Sequence, residues 1–253
     1  MVEKHIRVVT PVVSDRLRLE ERSSPEDGTA TRISYCTIER GPASVESEFD
    51  IALAAPDTVA RIMEAERDGV DAVVINCMAD PGLGAGREVV SIPVLGPCET
   101  TMHLAAMLGH KFSVVTVLDR IVPIFEDRAR SYGVITKLAS VRSVDIPVLD
   151  LHSDRDRLVQ LLVGESIKAV NDDGADVVIF GCTGMVGHAQ AVQQGLVDNG
   201  YQGVPVLDPI PTTIRMAEAV VDLRLTHSKR VFQMPPEKRI VGYSAPERST
   251  ITV

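Results

Sequence analysis

Hydrophobic positions along the chain fall into two kinds of run that alternate. Short β-branched runs bounded by Gly, Pro or Asp, such as "RVVTPV" (7–12), "IPVLGP" (92–97) and "SVVTVL" (113–118), read as strands buried on both faces of a parallel sheet. Between them lie helical patterns. "IALAAPDTVARIMEAERDG" (51–69) sets Val59, Ile62 and Met63 on one stripe, with charge opposite and Gly69 as a stop. "DRDRLVQLLVGESIKAVNDDG" (154–174) does the same with Leu158, Leu161, Leu162 and Ile167. Further helices are predicted over 100–110, begun by a Thr cap and ended by Gly109, and over 212–230. Strand, helix, strand alternation predicts an α/β fold with parallel sheets.

The pattern then repeats. "DGVDAVVINC" (68–77) recurs as "DGADVVIFGC" (173–182), 105 residues on. "RVVTPV" pairs with "SVVTVL" at an offset of 106, and "IPVLGP" with "VPVLDP" (204–209) at 112. Three matched pieces in one order at near-constant spacing indicate two copies of one half-protein. The expected organisation is two pseudo-symmetric parallel-sheet α/β domains. The first covers 1–98 plus 212–253, with a returning C-terminal helix and tail; the second covers 99–211.

Composition narrows what such a molecule binds. A formal charge of −9, few aromatic residues and no Trp argue against a nucleic-acid groove, leaving a small-molecule substrate as the expected partner. The opening "MVEKHIRVVTPVV" is charged where a secretory signal needs an apolar core, and no apolar run reaches spanning length; a cytoplasmic protein without membrane contact is expected. Four cysteines, at 36, 77, 98 and 182, lack the density of a disulfide framework. Each is expected to be a thiol.

Two of the thiols close the repeated phrase. Ligands in parallel α/β sheets sit beyond the carboxyl ends of the strands, where Cys77 and Cys182 fall. The loops that follow, "MADPGLGAGREV" and "TGMVGHAQAV", are rich in glycine and lead toward helix starts, so backbone amides are expected to lower both thiol pKa values. Two such thiols facing one point across a pseudo-twofold axis suit a two-base proton transfer at a carbon next to a carbonyl. No cofactor and no metal are required for it.

The stretch from Ile75 to Val134, with "GPASVESEFDIALAAP" (41–56) before it and "VIFGCTGM" (178–185) after it, resembles the hydantoin racemase branch of the aspartate/glutamate racemase superfamily. The resemblance spans about residues 5–225. It implies a site in the cleft between two similar domains, cofactor-independent racemisation of 5-substituted hydantoins, and a homo-oligomer. It also implies Cys77 and Cys182 as the acid/base pair. Thr10, Pro11, Ser44, Met78, Ala79, Asp80, Thr116, Val117, Thr183 and Gly184 are the corresponding substrate-binding positions. The chain departs from the family where "TPVV" (10–13) replaces an Asn-Pro-Asn-Thr segment, and where Met78-Ala79 and Gly184 stand in place of the polar residues of glutamate racemases.

Plainer roles compete at several positions. Cys36 and Cys98 read as small buried hydrophobes, and Met78, Met102, Met107 and Met185 as packing residues. Asp80 opens a "DPG" turn, where turn and helix-cap duty rival substrate contact. "GLGAGR" (82–87) and "GCTGMVG" (181–187) lack the spacing of nucleotide loops, and His103 and His188 lack the spacing of metal ligands. The alternative activities are an allantoin or aspartate/glutamate racemase and a maleate-type cis/trans isomerase; the non-enzymatic alternative is a two-lobed small-molecule binding protein.

Overall fold

A computed structural model describes residues 3–13, 22–23, 31–239 and 241. Beyond those residues lie parts of the expected terminal tail (240 and 242–253). The chain builds β1 (Lys4–Thr10), β2 (Arg22–Ser23), β3 (Thr31–Thr37), α1 (Glu48–Arg67), β4 (Ala72–Ile75), α2 (Leu83–Val89) and β5 (Val94–Leu95). It continues with α3 (Pro97–Leu108), β6 (Phe112–Thr116), α4 (Val122–Ser131), β7 (Leu138–Ser143) and α5 (Arg155–Asn171). β8 (Val177–Phe180), α6 (Ala189–Asp198), β9 (Val206–Leu207) and α7 (Pro209–Asp222) follow.

Two parallel sheets result. The first runs β3-β1-β4-β5, with the short β2 antiparallel at the β3 edge; the second runs β7-β6-β8-β9. Setting β2 aside, the orders match strand for strand, as the repeat requires. Every residue of β4, β6 and β8 is buried, so their unbroken β-branched runs reflect cover on both faces. In the first lobe, α1 and α2 place Ile62, Met63 and Leu83 against Val9, Val73 and Ile75, while α7 places Ile210 and Ala217 against Ile6, Val8 and Val74 on the other face. α3, which leaves the first sheet after β5, lays Met102 and Ala105 into the core of the second lobe with Phe112, Val114 and Phe180. Each lobe is thus capped by the helix that follows the other's last strand. At about 1.5–3 kcal/mol per fully buried large aliphatic side chain, that exchange binds the lobes together.

Two predicted helix limits shift. α3 starts at Pro97 rather than at a Thr cap, because proline at the first position lacks the N–H that would need a partner, and a carboxylate from elsewhere accepts the next amides. α7 starts at Pro209 for the same reason and ends at Asp222, well before residue 230. The segment after it crosses the first lobe: His227 Nε2 accepts from the Val94 amide, and Lys229 Nζ donates to the carbonyls of Arg87 and Val90 at the end of α2.

Candidate active site

Cys77 and Cys182 each lie two residues past the end of a central strand, β4 and β8. The preceding residue ties each loop to the neighbouring strand: the Asn76 amide donates to the Val9 carbonyl and the Gly181 amide to the Val115 carbonyl, both at 2.7 Å. Each sulfur accepts from an amide two residues on, Cys77 from Ala79 and Cys182 from Gly184, the latter at 3.3 Å. Burial outweighs these amides. It pushes the Cys77 thiol up to about 12, with a charge on Cys182 raising it further, and the Cys182 thiol up to about 11. The expectation of lowered thiol pKa values therefore does not hold; the apolar surroundings disfavour the thiolate more than one amide favours it.

Both thiols open onto one cavity of about 340 Å³ between the lobes. Its first wall carries Thr10, Val12, Ala43, Val45 and the segment Asn76–Ala79. The second carries Val117, Ile121, Ile124 and Phe125 at the start of α4, Val148, Leu149 and His152 from the loop before α5, and Gly181–Gly184 with Val186. Hydrogen bonds cross between the lobes around it: Thr183 Oγ1 donates to the Asn76 carbonyl (3.2 Å), the Val148 amide to Glu46 Oε1 (2.6 Å), and the Tyr132 hydroxyl to Asp80 Oδ2 (2.7 Å).

Asn76 also fixes the polarity of the two cavity threonines. Its Nδ2 donates to Thr10 Oγ1 at 3.0 Å, leaving the Thr10 hydroxyl hydrogen for an acceptor, whereas the Thr183 hydroxyl already donates and keeps a free lone pair. The two hydroxyls therefore present one donor and one acceptor to a cavity that Asn76 and His152 also line among apolar side chains. Among the described residues no group of three or more His, Cys, Asp or Glu side chains is placed to hold a metal, and no helix is long and apolar enough to cross a membrane.

The family model described as Asp/Glu/Hydantoin racemase matches residues 17–217, which takes in most of both lobes and both thiols. The chain belongs to this racemase family. It is 36% identical over 240 residues to a hydantoin racemase of Pseudomonas sp. (strain NS671), covering 94% of each chain. To a hydantoin racemase of Rhizobium meliloti it is 37% identical over 214 residues, covering 84% of this chain and 86% of that one. Among solved structures, the allantoin racemase from Pseudomonas fluorescens superposes with a TM-score of 0.83 at 32% identity, covering 94% of this chain and all of the other. The enzyme is an isomerase of the racemase type.

Of the residues singled out from the sequence of this racemase, Thr10, Cys77, Met78, Ala79, Val117, Cys182, Thr183 and Gly184 meet at the cavity. Pro11, Ser44, Asp80 and Thr116 are not on its lining. Pro11 is buried and Ser44 half-buried beside it. Thr116 is fully buried and donates to the Gly181 carbonyl at 3.3 Å; a side chain at Gly181 would meet it at 2.5 Å, which is why glycine stands where the first half has Asn76. Asp80 turns its carboxylate to the start of α3, accepting from the amides of Cys98 (3.1 Å) and Glu99 (2.9 Å). Burial pushes it up to about 6 against the pull of those amides and of Tyr132. Residues that the sequence reading passed over include Asn76, Phe125, Leu149 and His152. The apolar Ile121, Ile124 and Phe125, spaced for one face of a helix directly after a strand end, carried a readable signal. His152, alone in a loop, carried none.

Proposed function

We propose that the enzyme racemises 5-substituted hydantoins by two-cysteine 1,1-proton transfer, with an apolar 5-substituent preferred. The observation that carries the reading is the pair of repeat-related thiols, Cys77 and Cys182, opening onto one cavity from opposite lobes. One cysteine, as thiolate, takes the proton from C5, and the C–H electron pair passes into the adjacent C4 carbonyl as an enolate. The other cysteine, as thiol, returns a proton to the opposite face. C5 inverts, and the two sulfurs exchange protonation states; the next turnover runs in the other sense.

The Ala79 and Gly184 amides bond the sulfurs and so favour whichever one is ionised. The Thr10 hydroxyl is the donor available to the developing enolate oxygen, and Thr183 Oγ1 the acceptor for a ring N–H. A hydantoin carries a carbonyl and an N–H on either side of its stereocentre, which is the complement of that pair. A free amino acid would bring two full charges against Val45, Ile121, Ile124 and Phe125, where unpaired burial costs several kcal/mol. The same walls favour alkyl and arylalkyl substituents over the polar ureido arm of allantoin.

Initial rates for 5-isobutylhydantoin, 5-benzylhydantoin, allantoin, aspartate and glutamate, followed by loss of optical rotation under one condition, test the assignment. The alkyl and arylalkyl hydantoins are expected to lead and the amino acids to show no appreciable turnover. Aspartate or glutamate outrunning every hydantoin would remove the substrate assignment and leave the cysteine chemistry standing.

A further inference from the structure

Cys77 sits on a loop whose shape is held from outside the catalytic cavity. Asp80, three residues on, adopts φ +48°, a left-handed conformation that disfavours a residue with a side chain, and its amide donates back to the Cys77 carbonyl at 3.0 Å. Its carboxylate is 3% exposed and takes three donors: the first free amides of α3 and the hydroxyl of Tyr132. Gly96 is flush against it, since a Cβ there would stand 2.4 Å from the carboxylate carbon. Tyr132 closes α4, and the opposite end of that helix supplies Ile124 and Phe125 to the cavity wall. One hydrogen bond therefore joins the loop that carries one thiol to the helix that forms the facing wall.

We infer that Asp80 and Tyr132 form an inter-lobe latch that positions Cys77 against the reacting carbon. The latch holds both the strained turn after Cys77 and the distance from that turn to α4. The Cys182 loop is held by different bonds: the Gly187 amide donates to Asp208 and the Thr183 hydroxyl to the Asn76 carbonyl. The outer side of the latch faces a separate cavity of about 260 Å³ lined by Gly82, Gly84, Arg87 and Arg128 as well. That space lets water replace the tyrosine hydroxyl on Asp80, so Tyr132→Phe removes the tether without leaving a dry, unpaired carboxylate. Asp80 and Tyr132 are positioning residues, since neither touches the catalytic cavity.

The inference rests on Cys77 being one of the two bases, so the test carries an arm independent of turnover. Iodoacetamide labelling of the full chain, resolved at each cysteine by mass spectrometry, compares wild type with Tyr132→Phe. Labelling of Cys77 is expected to rise at least about fivefold while that of Cys182 stays within about twofold. On 5-isobutylhydantoin the same variant is expected to lose about tenfold in kcat with KM within about twofold, as a misplaced base weakens the transition state more than the bound substrate. Asp80→Asn, which turns an N–H toward donors, should shift both readouts further in the same direction; if it fails to fold, Tyr132→Phe alone decides. Equal labelling changes at the two cysteines, or no change at either, would overturn the latch even if hydantoins are turned over. Failure of the enzyme to turn over any hydantoin would strike the proposed function, and the labelling contrast would still judge the latch.

Discussion

The two halves share a strand order and a cysteine, yet they clamp their cysteine loops in opposite senses. In the first half the carboxylate belongs to the loop: Asp80 reaches to the amides at the start of α3, and Gly96 leaves it room. In the second half the carboxylate belongs to the helix: Asp208, the repeat counterpart of Gly96, accepts from the Gly187 amide of the loop at 2.6 Å. Both arrangements join a glycine-rich loop to the N-terminal end of a proline-started helix. The duplicated lobe preserves the clamp and leaves open which side supplies the charge, and the choice dictates where glycine must stand. The cross-lobe tether differs accordingly. Asp80 Oδ2 accepts from the Tyr132 hydroxyl as well as from the Glu99 amide and so couples the Cys77 loop to the facing lobe, while the Cys182 loop is coupled through Thr183 and the Asn76 carbonyl.

Replacing either thiol has the largest expected effect: Cys77→Ser and Cys182→Ser should each reduce racemisation by on the order of 100-fold or more, measured by polarimetry, because one group cannot serve both faces. Next comes the pH dependence. Both thiols are pushed well above neutrality, so the fraction of the thiolate form grows with pH, and log kcat/KM should climb with a slope near one between about pH 6 and 8. A plateau beginning below pH 8 would show that a thiol titrates far lower than burial dictates. Gly96→Ala forces a methyl group into the Asp80 carboxylate and should cost about 3 kcal/mol in denaturant unfolding. Its mirror, Asp208→Gly, removes the bond from the Gly187 amide but also relieves a half-buried carboxylate whose pKa is raised; about 1 kcal/mol is expected. If the two cost the same, the clamps are not opposite in kind. Smallest are Cys98→Ser and Cys36→Ser, which should change activity less than about twofold, since neither lines the cavity between the lobes.

Much of this architecture was legible because buried parallel strands carry a strong local signature. The ordered triplet of Val-rich pieces located β1, β4 and β5 and their counterparts β6, β8 and β9, and the cysteines at the strand ends pointed to the cavity. Helix limits were less so. Thr100 looks like a cap, but the helix begins three residues earlier, and its first free amides, those of Cys98 and Glu99, are taken by Asp80 from nearly twenty residues away, a partnership that no local window contains. The thiol pKa values were misjudged for a related reason. The glycines that admit amides are visible in the chain, whereas Ile121, Ile124, Phe125 and Val45 come together with the cysteines on one cavity only in three dimensions. Asn76 carries no repeat signal, because its counterpart in the second half is Gly181.

Division of labour between the two sulfurs is the central claim, and proton exchange in heavy water reads it most directly. Each enantiomer of 5-isobutylhydantoin is incubated separately with Cys77→Ser and with Cys182→Ser, and deuterium at C5 is followed by NMR alongside optical rotation. The account predicts that each variant loses inversion but retains deuterium exchange for one enantiomer only, and that the favoured enantiomer is opposite in the two variants. A Cys182→Ser enzyme that racemises near the wild-type rate, or two variants that exchange the same enantiomer, would contradict it.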